Sequence, residues 1–247
     1  MLYLVIAVIV FVLAGVLAMA GLGAAFLFVP IFYWLGIRLQ VASSTALLLN
    51  VVSLSFASVV YWRAHLVNLR FGIPITVAAV VLAPLGAIAA PHVPTRILLA
   101  FFAAFLVFAG SMMLFYRPRR AVVGRQGPAK VAMGSGVGGV AGFLGGLLGV
   151  GGGNVILPAL SGAGLDAKVV AGTTGFAVVF SSLSGFLGRI SMGGVNGALL
   201  AVSVIATAAG SLVGSRLMST RLSSPQLKRL IAIVLYAVAI KMIVGLV

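Results

Sequence analysis

"GGLLGVGGGNVILPAL", residues 145–160, places six glycines and Asn154 ahead of Pro158 in a chain that is 63% hydrophobic. Glycine leaves the backbone flexible and exposed, whereas a bilayer requires every backbone N–H and C=O to be satisfied within the protein. Irregular backbone is tolerated there only where protein buries it or where it lines a wet cavity. The rest of the chain decides whether that environment applies.

Only 7% of the 247 residues are charged, against about a quarter in an ordinary soluble domain. Apolar runs of about 20 residues, the length that crosses a bilayer, recur near 2–20, 41–61, 71–91, 95–116, 131–149, 168–189, 195–216 and 226–246. The first has no basic residue before it and no cleavage pattern after it, so it reads as a retained span and not a secretory signal. Two shorter apolar pieces, 21–37 and 150–165, are rich in Gly and carry Pro30 and Pro158. The one long polar segment, "RPRRAVVGRQGPAK" at 117–130, divides the chain almost in half. The expected fold is an all-α membrane protein, a polytopic helical bundle of eight long spans and two short Gly/Pro-broken segments. Its parts are a first membrane repeat at 1–116, a basic cytoplasmic linker at 117–130 and a second membrane repeat at 131–247.

The repeat rests on a single gapless offset of 128 residues. It aligns Gly21 with Gly149, Gly23 with Gly151, Pro30 with Pro158, Gly36 with Gly164, Thr45 with Thr173, Ser53 with Ser181, Asn68 with Asn196 and Gly86 with Gly214. Hydrophobic residues match by composition alone; glycine, proline and polar residues in one register do not. Charge then orients the halves. If the short pieces do not cross, basic residues divide evenly between the two sides. If each crosses, Arg63, Arg70, the five linker cations, Lys168, Arg216, Arg221, Lys228 and Arg229 share one side, and only Arg38, Arg96 and Arg189 lie opposite. That is the asymmetry of the positive-inside rule. It favours two inverted halves of five segments, with the linker inside and both termini outside.

Sixteen Lys and Arg against one acid, Asp166, give a formal charge of +15. In a soluble chain this would suggest nucleic acid; between spans it is topology, and no nucleic-acid partner is expected. The absence of Cys removes disulfides and thiolate metal sites. One Asp, two His and no Cys also leave too few groups for acid/base or metal catalysis, so neither an enzyme nor a cofactor is expected.

Paired Gly/Pro interruptions in two halves point to a transporter's binding site. Helix N-termini exposed by such breaks bind anions, and glycine lets a ligand approach the backbone. The expected substrate-binding residues are Gly149, Gly151, Gly152, Gly153 and Asn154, with Gly21 and Gly23 opposite. Thr45 and Thr173, which coincide in the repeat, are the preferred hydroxyl donors over Ser43, Ser44, Thr174, Ser181, Ser182 and Ser184. Pro30 and Pro158 would fix the helix breaks. Scattered Gly134, Gly136, Gly138 and Gly139 read as packing positions. Arg63, Arg70, Arg96 and Arg189 read as interfacial anchors near span ends, and His65 and His92 as bland interfacial residues.

"GLLGVGGGNVILPAL" at 146–160, its degenerate copy "AGLGAAFLFVPIFYWLGI" at 20–37, "AGTT" at 171–174 opposite "ASSTA" at 42–46, and "GGVN" at 193–196 aligned with "HLVN" at 65–68 together resemble the TauE/SafE family of membrane anion permeases. The resemblance covers nearly the whole chain. It implies an inner-membrane, multi-pass carrier for sulfite, sulfonates or other small inorganic or organic anions. Export down the membrane potential by alternating access would follow. Beyond the anion and the lipid bilayer, a homodimer is an open option. The alternatives are an anion channel and a non-transporting scaffold that docks a partner through the linker. The first copy departs from the pattern, with Ala24, Ala25 and Phe26 where the second has Gly152, Gly153 and Asn154. Polar contacts are therefore expected mostly from the second half.

Overall fold

A computed structural model describes residues 2–19, 21–115, 128–189 and 197–220, with positions 233, 236, 237, 239, 240, 243 and 244 beyond them. The described residues are helical and contain no strand. The helices are α1 (Leu2–Met19), α2 (Ala25–Trp34), α3 (Leu39–Arg63), α4 (Leu69–Ala89), α5 (Thr95–Phe115), α6 (Pro128–Leu148), α7 (Gly153–Gly162), α8 (Ala167–Leu187) and α9 (Gly197–Thr220). A 3₁₀ turn, Ala90–His92, follows α4. The helices are apolar nearly all round, as befits segments meeting lipid on one side and protein on the other. Four stretches among the described residues are long and apolar enough to cross a membrane: Leu39–Arg63, Leu69–His92, Lys168–Leu187 and Leu200–Thr220. Val77, Val81, Leu85 and Ile88 make an exposed apolar stripe on α4, and Ile205 and Val213 are exposed on α9.

Two expected boundaries shift. The segment 128–130, read as the end of the linker, is already helical, because Pro128 opens α6 at the position where a missing N–H costs nothing. The remainder of the linker, 117–127, and most of the 226–246 run lie outside the described residues. The prolines also move. Pro30 and Pro158 are each the sixth residue inside a ten-residue helix, so neither marks the break. The breaks lie ahead of α2 and α7, where Gly21, Gly23, Gly149, Gly151 and Gly152 have φ of +66°, +71°, +76°, +77° and +78°. L-residues avoid this region, so the glycines stop α1 and α6. What the prolines remove is the N–H that would reach the Phe26 and Asn154 carbonyls.

Element positions recur at the interval seen in the sequence. α2 and α7 start and finish 128 residues apart, as do the starts of α3 and α8 and of α4 and α9. Packing interlocks the two halves of the chain. α4 lies on α6 and α8, α9 lies on α1 and α3, and α3 meets α8. Small residues make the close approaches. A Cβ on Gly142 would sit 2.4 Å from the Ala79 carbonyl oxygen, and one on Gly146 would sit 2.0 Å from that of Ala83. Gly214 meets the Gly15 carbonyl in the same way, at 2.0 Å. Gly138 and Gly139 share the packing role, whereas a Cβ on Gly136 would meet nothing within 4 Å.

Candidate functional site

Each glycine turn lies against the middle of a long helix. Gly23 faces Asn50 on α3, where a Cβ would come within 1.7 Å of Oδ1. Gly151 faces Ser182 and Asn50, where a Cβ would come within 2.2 Å of Oγ and 2.7 Å of Nδ2. The two turns also meet each other, since a Cβ on Gly153 would lie 3.1 Å from the Leu22 carbonyl oxygen. Gly21 packs on the Ala171 carbonyl and Gly149 on Ser43. The structure thus brings Gly21, Gly23, Gly149, Gly151 and Gly153 to one α3–α8 seam. Gly152, the N-cap of α7, turns towards the Ala141 carbonyl of α6 instead.

Asn50, fully buried, ties the seam together. Its Oδ1 accepts the Ala25 N–H at the start of α2 (3.4 Å), and its Nδ2 donates to Ser182 Oγ on α8 (2.9 Å). Ser181 Oγ donates to the Gly151 carbonyl (2.8 Å), which holds the second turn. All three are polar positions in the sequence, but Asn50 and Ser182 have no polar match in the repeat. Their counterparts 128 residues away are Val178 and Leu54. The usable signal was the reverse, a polar residue in a span where the other half has an apolar one.

The two helix starts differ chemically. Asn50 covers the first N–H of α2, whereas α7 has no side-chain cap. The first four N–H groups of a helix have no partner within it, and they carry the positive end of the helix dipole. Asn154, the second residue of α7, is buried, and its Oδ1 has no hydrogen-bond partner. A buried carboxamide atom without a partner is rare and calls for a ligand or a change of state. The carboxamide's O and N exchange places by a half-turn, so this position offers an anion either end of the group. Ser53 Oγ on α3 and Thr174 Oγ1 on α8 are likewise buried without partners.

The two expected threonines are otherwise engaged. Thr45 Oγ1 donates to the Val41 carbonyl one turn back (2.9 Å), which spends its only proton. Thr173 Oγ1 accepts the Asn68 N–H (2.9 Å), closing the approach to α4. Neither bonds to a glycine turn. Arg63, Arg70, Arg96, His65 and His92 are exposed near helix ends, as the sequence implies. Arg189 is not. It is 2% exposed, and its Nη2 donates to the Gly146 and Leu147 carbonyls (2.6 and 2.8 Å) at the end of α6. Hydropathy placed it at a span end, but the packing of α6 encloses it. No cluster of three His, Cys, Asp or Glu able to hold a metal occurs among the described residues.

A family model described as Sulfite exporter TauE/SafE matches residues 6–242, nearly the whole chain. No curated protein matches the chain, and no solved structure matches it.

Proposed function

The chain belongs to the Sulfite exporter TauE/SafE family, and from that premise we propose that it is a permease for a small sulfur-containing or organic anion. The anion site lies between the two glycine turns at the α3–α8 seam. The observation that carries this reading is Asn154, buried and unpartnered at the uncapped start of α7, beside backbone that only glycine readily adopts. An oxyanion there meets the N–H groups of Gly153 and Asn154, those of Val155 and Ile156 being taken by the Gly152 carbonyl, and the Asn154 carboxamide, without leaving the low-dielectric interior. Gly149, Gly151, Gly152 and Gly153 keep the backbone open to it, and Gly21 and Gly23 form the opposing wall.

Two inverted halves of five segments accommodate this site. Ten helical residues span about 15 Å, half of the ~30 Å hydrocarbon core. Yet the piece that contains α2 runs the length of α3. Tyr61 donates to the Ala18 carbonyl near one end of α3, Gly23 meets Asn50 midway, and α2 finishes just before α3 begins. In the second half, Arg189 meets Gly146 past the end of α8, Gly151 meets Ser182 within it, and α7 finishes just before α8 begins. These contacts support short pieces that cross as half turn and half helix; the inside position of the linker rests on the charge asymmetry alone.

Alternating access then divides the molecule by packing and not by sequence halves. One group is α1, α2, α3 and α9, the other α4, α6, α7 and α8, and they meet where α3 touches α8. The Asn50–Ser182 hydrogen bond crosses that seam, so opening the site to either side breaks it. An anion leaving a cell whose interior is negative gains about 2.3 kcal/mol per charge per 100 mV, so export requires no coupled ion.

The test is flux of sulfite, sulfate, short sulfonates and small carboxylates through liposomes holding the purified protein. Saturable transport of one of these with counterflow supports a carrier. Non-saturating flux indicates a channel, and no flux by the protein alone favours the scaffold.

A further inference from the structure

We infer that Arg189 is the cationic member of a second anion subsite, beside the second glycine turn, in a cavity it lines with Gln40, Ser43, Leu99, Phe102 and Leu148. This rests on the permease reading only for the identity of the anion. The guanidinium is enclosed, and its Nε has no hydrogen-bond partner. Among the described residues no carboxylate lies beside it. The chain's single acidic side chain, Asp166, accepts the Lys168 N–H at the start of α8, roughly 35 Å along the helix from residue 189 at 1.5 Å per residue.

The structural alternative is that Arg189 merely ties the end of α6 to α8, and the protein contains its own control. Residue 61 stands 128 positions before residue 189, and the Tyr61 hydroxyl donates to the Ala18 carbonyl, which stands 128 positions before the Gly146 carbonyl that Arg189 binds. Both contacts join the end of the helix that precedes a glycine turn, α1 or α6, to the long helix beside it or the residue just past that helix. The carbonyl ends of helices favour a cation in either place, yet one tie is made by a neutral phenol. The charge is therefore not needed for the tie, and burying it unpaired is unfavourable. An anion supplies the missing counter-charge. Ser43 connects this cavity to the turn, since it lines the cavity and meets Gly149, where a Cβ would come within 2.4 Å of the Ser43 Cβ. The cavity holds about 10 Å³, room for about one water, so an oxyanion enters it only when the elements that line it, α3, α5 and the end of α6, move apart. Arginine offers such an oxyanion a fork of N–H donors, and Ser43 and Gln40 add neutral ones.

The experiment compares wild type with Arg189→Tyr, which reproduces the neutral tie, and Arg189→Lys, which keeps the charge. Thermal midpoints of the detergent-solubilised full chain are titrated with sulfite, methanesulfonate and acetate, and liposome flux is measured in parallel. The expected result is an unchanged midpoint without anion, and apparent affinity for the stabilising anion weakened about tenfold or more in Arg189→Tyr and less in Arg189→Lys. Should tyrosine not be accommodated, Arg189→Gln removes the charge while keeping a donor and is read in the same way. Wild-type affinity in the neutral variant overturns the subsite and leaves the permease reading standing. Arg189-dependent binding without flux in any protein upholds the subsite and removes the permease reading. No shift of the wild type by any of the three anions overturns the subsite.

Discussion

Gly151→Ala is expected to destabilise the protein by about 2–5 kcal/mol, and the structure assigns that loss to two sources. The first is backbone. Gly151 sits at φ +77°, and a Cβ in the left-handed region costs about 1–2 kcal/mol. The second is contact. The new Cβ would lie 2.2 Å from Ser182 Oγ and 2.7 Å from Asn50 Nδ2, the two atoms of a buried hydrogen bond. Separating them leaves buried polar groups unpaired, which costs about 1–3 kcal/mol. Gly36 separates the terms, since it has φ +82° and a Cβ there would meet nothing within 4 Å. Gly36→Ala should therefore cost only the backbone part, about 1–2 kcal/mol. The assay is equilibrium unfolding in mixed micelles, followed by the fluorescence of Trp34 and Trp62. In a Ser182→Ala background the nearest atom is gone, and the Gly151→Ala penalty should shrink by about 1 kcal/mol or more, within the range of direct-contact coupling. Equal losses for Gly151→Ala and Gly36→Ala, or no relief from Ser182→Ala, would refute the placement of the second glycine turn on the Asn50–Ser182 bond.

The remaining predictions separate binding from folding. Asn154→Ala removes a group whose Oδ1 already lacks a partner, so stability should change by less than about 1 kcal/mol while anion flux falls sharply; unchanged flux would remove Asn154 from the site. Tyr61→Phe removes one of the two donors to the Ala18 carbonyl, which still accepts the Gly21 N–H, and should cost about 0.5–1.5 kcal/mol, with anion affinity retained when titrated by thermal shift. Thr45→Val loses only the bond to Val41; stability and flux should both hold within about a factor of two, and a large flux defect would restore Thr45 as a ligand. Asn50→Leu breaks the link between α3 and α8 and should raise the accessibility of a cysteine introduced at Ser182, read by the rate of thiol labelling in liposomes.

The class of fold was legible because hydropathy and charge are summed over whole spans, and the glycine turns because L-residues avoid positive φ. Gly21, Gly23, Gly149 and Gly151 are where the chain turns back. The prolines misled for a physical reason. Proline breaks exposed helices, but a ten-residue helix packed against neighbouring helices accommodates Pro30, buried, or Pro158, partly buried, at the loss of one helical hydrogen bond. Asn50 and Ser182 were visible as residues but not as a pair, because the contact joins spans 132 positions apart and neither has a polar counterpart in the other half. Arg189 could not be distinguished from an anchor by position in a span. Its burial depends on how closely α6 approaches α4 and α8, which glycine spacing suggests and only packing fixes.

If the seam between the two glycine turns is the transport path, the protein alone carries an anion through it. The most direct measurement is counterflow of labelled sulfite, sulfonate or carboxylate in liposomes containing only the purified chain. The expected result is saturable uptake driven by unlabelled anion inside, lost in Asn154→Ala. Absence of counterflow for every anion tested, or counterflow indifferent to Asn154, would contradict it.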